Sequence, residues 1–312
     1  MLTFLFEKRI FRSLLALTAV ALASAVSASE LLVTNYFGNS LTRFDWSGNS
    51  LGTYSGGTLS GPLGMSTGSD GLLYVTSESN NSVQRFNTTT HAYVDTIASG
   101  AGLNGPTAVT FDGGGNLLVA NFNDSSVGKF SSGGSYQGQF VTPGSGGLNG
   151  PDIGTTIGPD GNLYAMSFYG NSILKYNGSN GAYIGAFVTA GSGGLTQPRT
   201  ILWHNGKVYV SSDNGNKVLR YNLDGSFSDI FVAAGSGGLN GAVGMVFGED
   251  NNLYLVSWRN SRILKYDGTT GAFLSTFAST GLNGPVGLAV VPEPATIVAL
   301  GVAALWRLRR RK

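Results

Sequence analysis

The chain has 312 residues, 48 of them glycine, with 12% charged residues and no cysteine, which excludes disulfides, thiolate metal sites and a cysteine nucleophile. An apolar content of 42% excludes global disorder, and abundant glycine without a G-x-y period points to short strands joined by tight turns. The formal charge of +2 comes from the two ends, so the middle is mildly acidic and lacks the clustered Lys and Arg of a nucleic-acid surface.

Residues 1–28 read as a secretion signal. Lys8, Arg9 and Arg12 form its charged region, and Ser13 to Leu22 its apolar run. Val26-Ser27-Ala28 offers the small residues that a signal peptidase accepts. The apolar run is short for a membrane span of ~20 residues.

The middle, 29–290, repeats one unit six times. Each copy ends in an aliphatic residue, any residue, Lys or Arg, then Phe or Tyr. The first ending is Leu41-Thr42-Arg43-Phe44 and the last is Ile263-Leu264-Lys265-Tyr266. The terminal aromatics, Phe44, Phe86, Phe130, Tyr176, Tyr221 and Tyr266, lie about 45 residues apart, the period of a propeller blade. Within the third copy the pattern predicts four strands: Thr107–Phe111, Leu117–Ala120, Ser126–Phe130 and Tyr136–Val141. Gly-rich turns suited to positive φ separate them. The strands are termed A to D here, from the axis outward. The first copy lacks its A strand, and the missing piece stands last, at Leu282-Asn283-Gly284-Pro285-Val286-Gly287-Leu288-Ala289. The predicted fold is an all-β, six-bladed β-propeller of four-stranded blades. Its C-terminal strand completes the first blade, and a short hydrophobic helix lies at each end of the chain.

Comparing the six copies separates scaffold from site. The Lys/Arg-aromatic endings and runs such as Gly144-Ser145-Gly146-Gly147 recur and are read as structural; the latter lack the Lys of a phosphate loop. Function is expected where one blade differs from the rest, on the face of the B–C and D–A loops. His91 and His204 align with turns of the opposite face. Near the axis the strand-opening positions are Leu63, Thr107, Asp152, Arg199, Val243 and Val286; Asp152 and Arg199 are expected to meet, and blade four to carry one extra residue. The B–C loops add Tyr36, Phe122, Tyr169, Asp213, Trp258 and Arg259, along with Phe37, Glu78, Asp124 and Phe168. Aromatic faces with amides and hydroxyls suit a sugar or a protein surface. No catalytic residue, metal set or cofactor is assigned.

The chain closes on Val291-Pro292-Glu293-Pro294, an apolar run from 295 to 306, and a tail of five Arg and Lys residues with one Leu. Residues 291–312 resemble the PEP-CTERM sorting signal. That resemblance implies an exosortase-type protease acting near Pro292, Glu293 and Pro294, transient membrane anchoring through 295–306, and release or attachment at the cell surface of a Gram-negative type envelope. The basic tail suits a cytoplasmic position. The repeat itself resembles NHL-type units, through Leu-Asn-Gly-Pro at 103–106 and Gly-Pro-Asp-Gly-Asn-Leu-Tyr at 158–164. Lyases with this resemblance use histidines in their sites, and none is expected at this mouth. The sequence therefore suggests a binding scaffold for extracellular polysaccharide or protein. The alternative is a lyase or lactonase using mouth carboxylates and a bound cation.

Overall fold

The computed structural model describes residues 29–291; the predicted signal, sorting tail and terminal helices lie outside the described residues. Glu30–Val291 forms a compact unit of six four-stranded antiparallel sheets. Blade 3 shows why the sequence folds this way. Its strands are Pro106–Phe111, Leu117–Asn121, Ser126–Phe130 and Tyr136–Val141, each ended by a Gly- or Asn-containing turn. The second strand is buried along its whole length because other blades cover both of its faces. The outer strand is exposed over most of its length and buries only its last two residues, Phe140 and Val141, as befits the edge of the blade.

Blade 1 closes the ring. Its sheet order places Pro285–Val291 beside Glu30–Asn35, followed by Ser40–Phe44 and Ser50–Thr53. Leu32 pairs with Ala289 and Glu30 with Val291. The two ends of the described chain are thus held in one sheet by backbone hydrogen bonds.

Six apolar clusters lie between neighbouring blades, and a seventh, around Leu63, Val243, Val256 and Val286, lies on the axis. The inner strands crowd together there. A Cβ on Gly64 would stand 2.4 Å from the Thr107 carbonyl oxygen, and one on Gly287 would stand 2.4 Å from that of Leu63. Small residues at these positions are therefore a packing requirement.

The inner strand bulges at its start in every blade. Pro62 pairs with Ser77 and Met65 with Val75, so the inner strand carries one residue more than its partner. Blades 1, 3, 5 and 6 do the same. In blades 1, 2 and 5 a hydroxyl fills the bulge and ties it to the next blade. Thr34 Oγ1 accepts from Gly287 N at 2.7 Å and donates to Leu63 O at 2.8 Å. Thr76 and Ser211 do likewise toward Thr107 O and Val243 O. Blade 4 departs as expected. Pro151 pairs with Ser167 and Thr156 with Tyr164, which leaves one residue beyond the shared bulge. The surplus forms a turn closed by Thr155 N donating to Asp152 O at 2.8 Å.

The repeated polar residues hold turns together. The last residue of each second strand (Asn35, Ser77, Asn121, Ser167, Ser212 or Ser257) accepts a backbone N–H from the loop leading into its own inner strand. The positive-φ residues Asn39, Asn81, Ser125, Asn171 and Asn216 accept an N–H from the following blade. The Gly-Ser-Gly-Gly runs form short 3₁₀ turns, Ser145–Gly147, Ser192–Gly194 and Ser236–Gly238. The buried Tyr176, Tyr221 and Tyr266 hydroxyls donate to their Ser145, Ser192 and Ser236 carbonyls at 2.7–2.8 Å. Blades that end in Tyr are those preceded by such a turn.

The Lys or Arg before each aromatic is ion-paired within its own blade. Lys129, Lys175 and Lys265 reach Asp112, Asp160 and Asp250 of the A–B turns at 2.7, 2.7 and 2.8 Å. Arg85 bridges Asp95 and Asp70, and Arg43 holds Glu30. Blade 5 has His204-Asn205-Gly206 in its turn, and Arg220 turns instead to Asp229. Desolvation pushes Asp112 and Asp250 upward. Their Lys and Asn hydrogen bonds, with backbone N–H groups, outweigh it and hold both carboxyls at about 2.

Candidate functional site at the propeller mouth

A cavity of about 220 Å³ opens on the axis where the B–C loops converge. Leu63, Thr107 and Val286 form its apolar floor, each contributed by the start of an inner strand. Tyr36, Phe37, Phe122 and Trp258 form aromatic walls, and Glu78 and Arg199 are its charged members. Phe37 stacks on Trp258 at 6.3 Å and meets Tyr36 edge-on at 5.2 Å. Phe122 packs with Phe168 and Tyr169.

The wall around Trp258 depends on a glycine. Gly241 has φ +78, and a Cβ there would stand 2.2 Å from the indole. Trp258 opens a 3₁₀ turn, Trp258–Asn260, within the B–C loop of blade 6. Its Nε1 is buried and has no hydrogen-bond partner among the described residues.

Asp152 and Arg199 do meet. Arg199 Nη1 donates to Asp152 Oδ2 at 2.5 Å, with Asp152 wholly buried. Asp152 reaches this position because of the extra residue in blade 4, and its Oδ1 accepts Ile153 N at 2.6 Å. Arg199 Nε also lies 3.2 Å from Asp213 Oδ2, within ion-pair reach though off the hydrogen-bonding direction. Asp213 in turn meets Arg259 Nη1 at 2.7 Å. Arg199 lies over the Phe168 ring at 5.1 Å, and Arg259 over Trp258 at 5.6 Å. Blades 4, 5 and 6 therefore share one chain of alternating charges.

Burial pushes the Asp152 carboxyl upward against the pull of Arg199. Burial opposes the charge on Arg199 as well, but Asp152 and Asp213 overcome it and hold the guanidinium charged. Burial raises the Tyr36 hydroxyl, and its hydrogen bond to Glu78 raises it further.

Of the sequence-expected residues, Tyr36, Phe122, Arg199 and Trp258 line the cavity, while Asp152 and Asp213 stand behind it as partners of Arg199, and Arg259 pairs with Asp213. Tyr169 is 58% exposed and touches the cavity only through Phe122. Phe37, expected among the loop aromatics, and Glu78, expected among the mouth carboxylates, both reach the wall. Asp124 instead accepts the Ser126 hydroxyl at 2.6 Å. Among the described residues no three His, Asp or Glu side chains cluster as a metal-ligand set. His204 stacks on Phe247 at 3.8 Å, and burial lowers its pKa. His91 lies 3.5 Å from Glu30 and beside Tyr54. Both histidines lie among strand ends and turns away from the cavity.

No family model and no curated protein matches the chain. Solved structures do. A crystal structure of a nidogen/laminin complex contains a chain superposing with TM-score 0.70 at 15% identity, covering 84% of this chain and 98% of that one. A catalytically inactive virginiamycin B lyase from Staphylococcus aureus, solved with quinupristin, gives 0.61 at 14%, covering 86% and 94%. A protein of unknown function from Bacteroides caccae gives 0.63 at 13%, covering 86% and 100%. At these identities the likeness concerns the fold. The protein is similar to propellers found in a binding complex and to propellers that are enzymes, and the scaffold alone does not choose between them.

Proposed function

We propose that this protein is an exported, surface-displayed propeller that binds an extracellular polysaccharide or protein at its mouth. The observation that carries this reading is the cavity itself: four aromatic walls on an apolar floor, with the buried carboxylates Asp152 and Asp213 already engaged by Arg199 and Arg259. Carboxylates held in ion pairs suit a rigid recognition surface better than proton transfer. The enzyme reading would need one of them released, or would have to rest on Glu78 alone, the one cavity carboxylate outside the ion pairs among the described residues.

In the same proposal, signal peptidase removes 1–28 and an exosortase-type protease acts at Pro292-Glu293-Pro294, with 295–306 as a transient anchor. The support is the order of motif, apolar run and basic tail at the chain end. Deleting residues 307–312 is expected to leave an unprocessed precursor in the inner membrane, and unchanged maturation would refute that route. Screening the full chain on glycan and peptide arrays tests the binding claim. Trp258→Ala is expected to abolish the signal, and full retention would refute use of the mouth.

A further inference from the structure

The mouth is electrically lopsided. Blades 4 to 6 carry the paired charges, whereas blades 1, 2 and 3 present Tyr36, Glu78 and Phe122 on consecutive B–C loops. Glu78 lies near the Tyr36 hydroxyl and acts on it electrostatically, and none of the ion pairs among the described residues includes Glu78. In the cavity and directly behind it three carboxylates, Glu78, Asp152 and Asp213, stand against two guanidinium groups, Arg199 and Arg259. Arg199, across the ring, also feels Glu78, but its nearer partners are Asp152 and Asp213.

We propose that the blade 1–3 side of the cavity takes the cationic end of a lysine or arginine side chain presented by a partner protein. This deepens, and rests on, the reading of the mouth as a binding site. A carboxylate between two aromatic rings attracts an organic cation from both directions: the charge meets Glu78, and the ring faces of Tyr36 and Phe122 stabilise it by their quadrupoles. The floor of Leu63, Thr107 and Val286 suits the hydrocarbon stem of such a side chain. A hydroxyl-covered sugar ring would leave donors unmatched there. The 220 Å³ volume holds one side-chain end.

The test is calorimetric titration of the full chain in a neutral detergent with Nα-acetyl-lysine methylamide, its arginine counterpart, the neutral norleucine analogue and a glucosamine oligomer. The two cations are expected to bind and norleucine to bind at least tenfold more weakly. Glu78→Gln is expected to weaken the cations about tenfold at an unchanged melting temperature, Glu78→Asp to retain most affinity, and Phe122→Leu to cost about threefold. Equal binding of norleucine, or full affinity in Glu78→Gln, overturns the proposal. Binding of the glucosamine oligomer alone overturns it in favour of a polysaccharide while sparing the mouth as the site. No binding that depends on Trp258 by any probe or array ligand overturns both readings.

Discussion

On the base of the ring three blades repeat one device: a lysine held within 2.8 Å of a turn aspartate, packed over the strand B tyrosine where one is present. At the mouth the charged and anchoring residues change from blade to blade. Blade 6 brings Trp258, blade 5 Arg199, blade 4 a buried Asp152 and blade 2 Glu78. Repetition on one face and singularity on the other, within one chain, separates the residues that hold the ring from those that distinguish this protein. The contrast also appears in burial. The base aspartates Asp160 and Asp250 are about two-fifths exposed, whereas the mouth carboxylates Asp152 and Asp213 are almost completely buried. Similar-looking ion pairs should therefore have very different energetic weight.

The largest expected effect belongs to the mouth pair. Asp152→Ala leaves Arg199 buried without its closest partner and should cost about 3–5 kcal/mol in urea unfolding, whereas Lys175→Met on the base should cost under about 1 kcal/mol. Comparable losses would erase the distinction. Next comes Tyr221→Phe, which removes one of the two donors to the Ser192 carbonyl, Leu195 N being the other, and should cost about 1 kcal/mol; Phe at the equivalent Phe130 is native and needs no such bond. The base also sets the acid limb of stability. Asp112 and Asp250 titrate at about 2 when folded, against 3.8 as the ordinary value. Folded pKa values below the unfolded ones mean stability is full above about pH 4 and falls as pH drops toward 2. Asp112→Asn should flatten that limb by about 1 kcal/mol after allowance for solvent screening, and an unchanged acid profile would contradict it. Smallest of all, His91→Ala together with His204→Ala should leave binding at the mouth unaltered.

Much of the scaffold was legible because the chain states it six times. The period fixed the blades, the displaced Leu282–Ala289 copy foretold closure through Pro285–Val291, and the surplus at Ile153-Gly154 emerged as the turn that buries Asp152. The meeting of Asp152 with Arg199 followed from their common position on neighbouring inner strands. What escaped was contact between loops. Asp213 lies among ordinary loop polars in sequence, and only blade geometry brings it between Arg199 and Arg259. Likewise, the repeated Lys and Arg read as structural from their recurrence, but their ion partners lie on a different turn or strand of the blade and emerge only once strand pairing places them. One signal was readable and missed: Tyr replaces Phe at the blade end wherever a Gly-Ser-Gly-Gly run precedes that blade.

The assignment of function to the mouth is tested most directly by photo-crosslinking in cells expressing the full chain. The probe amino acid replaces Phe37, 60% exposed at the cavity wall, or Leu223, 62% exposed on the outer rim. A discrete adduct from position 37 and none from position 223 is the predicted result. The reverse pattern would place the working surface on the rim and contradict the account.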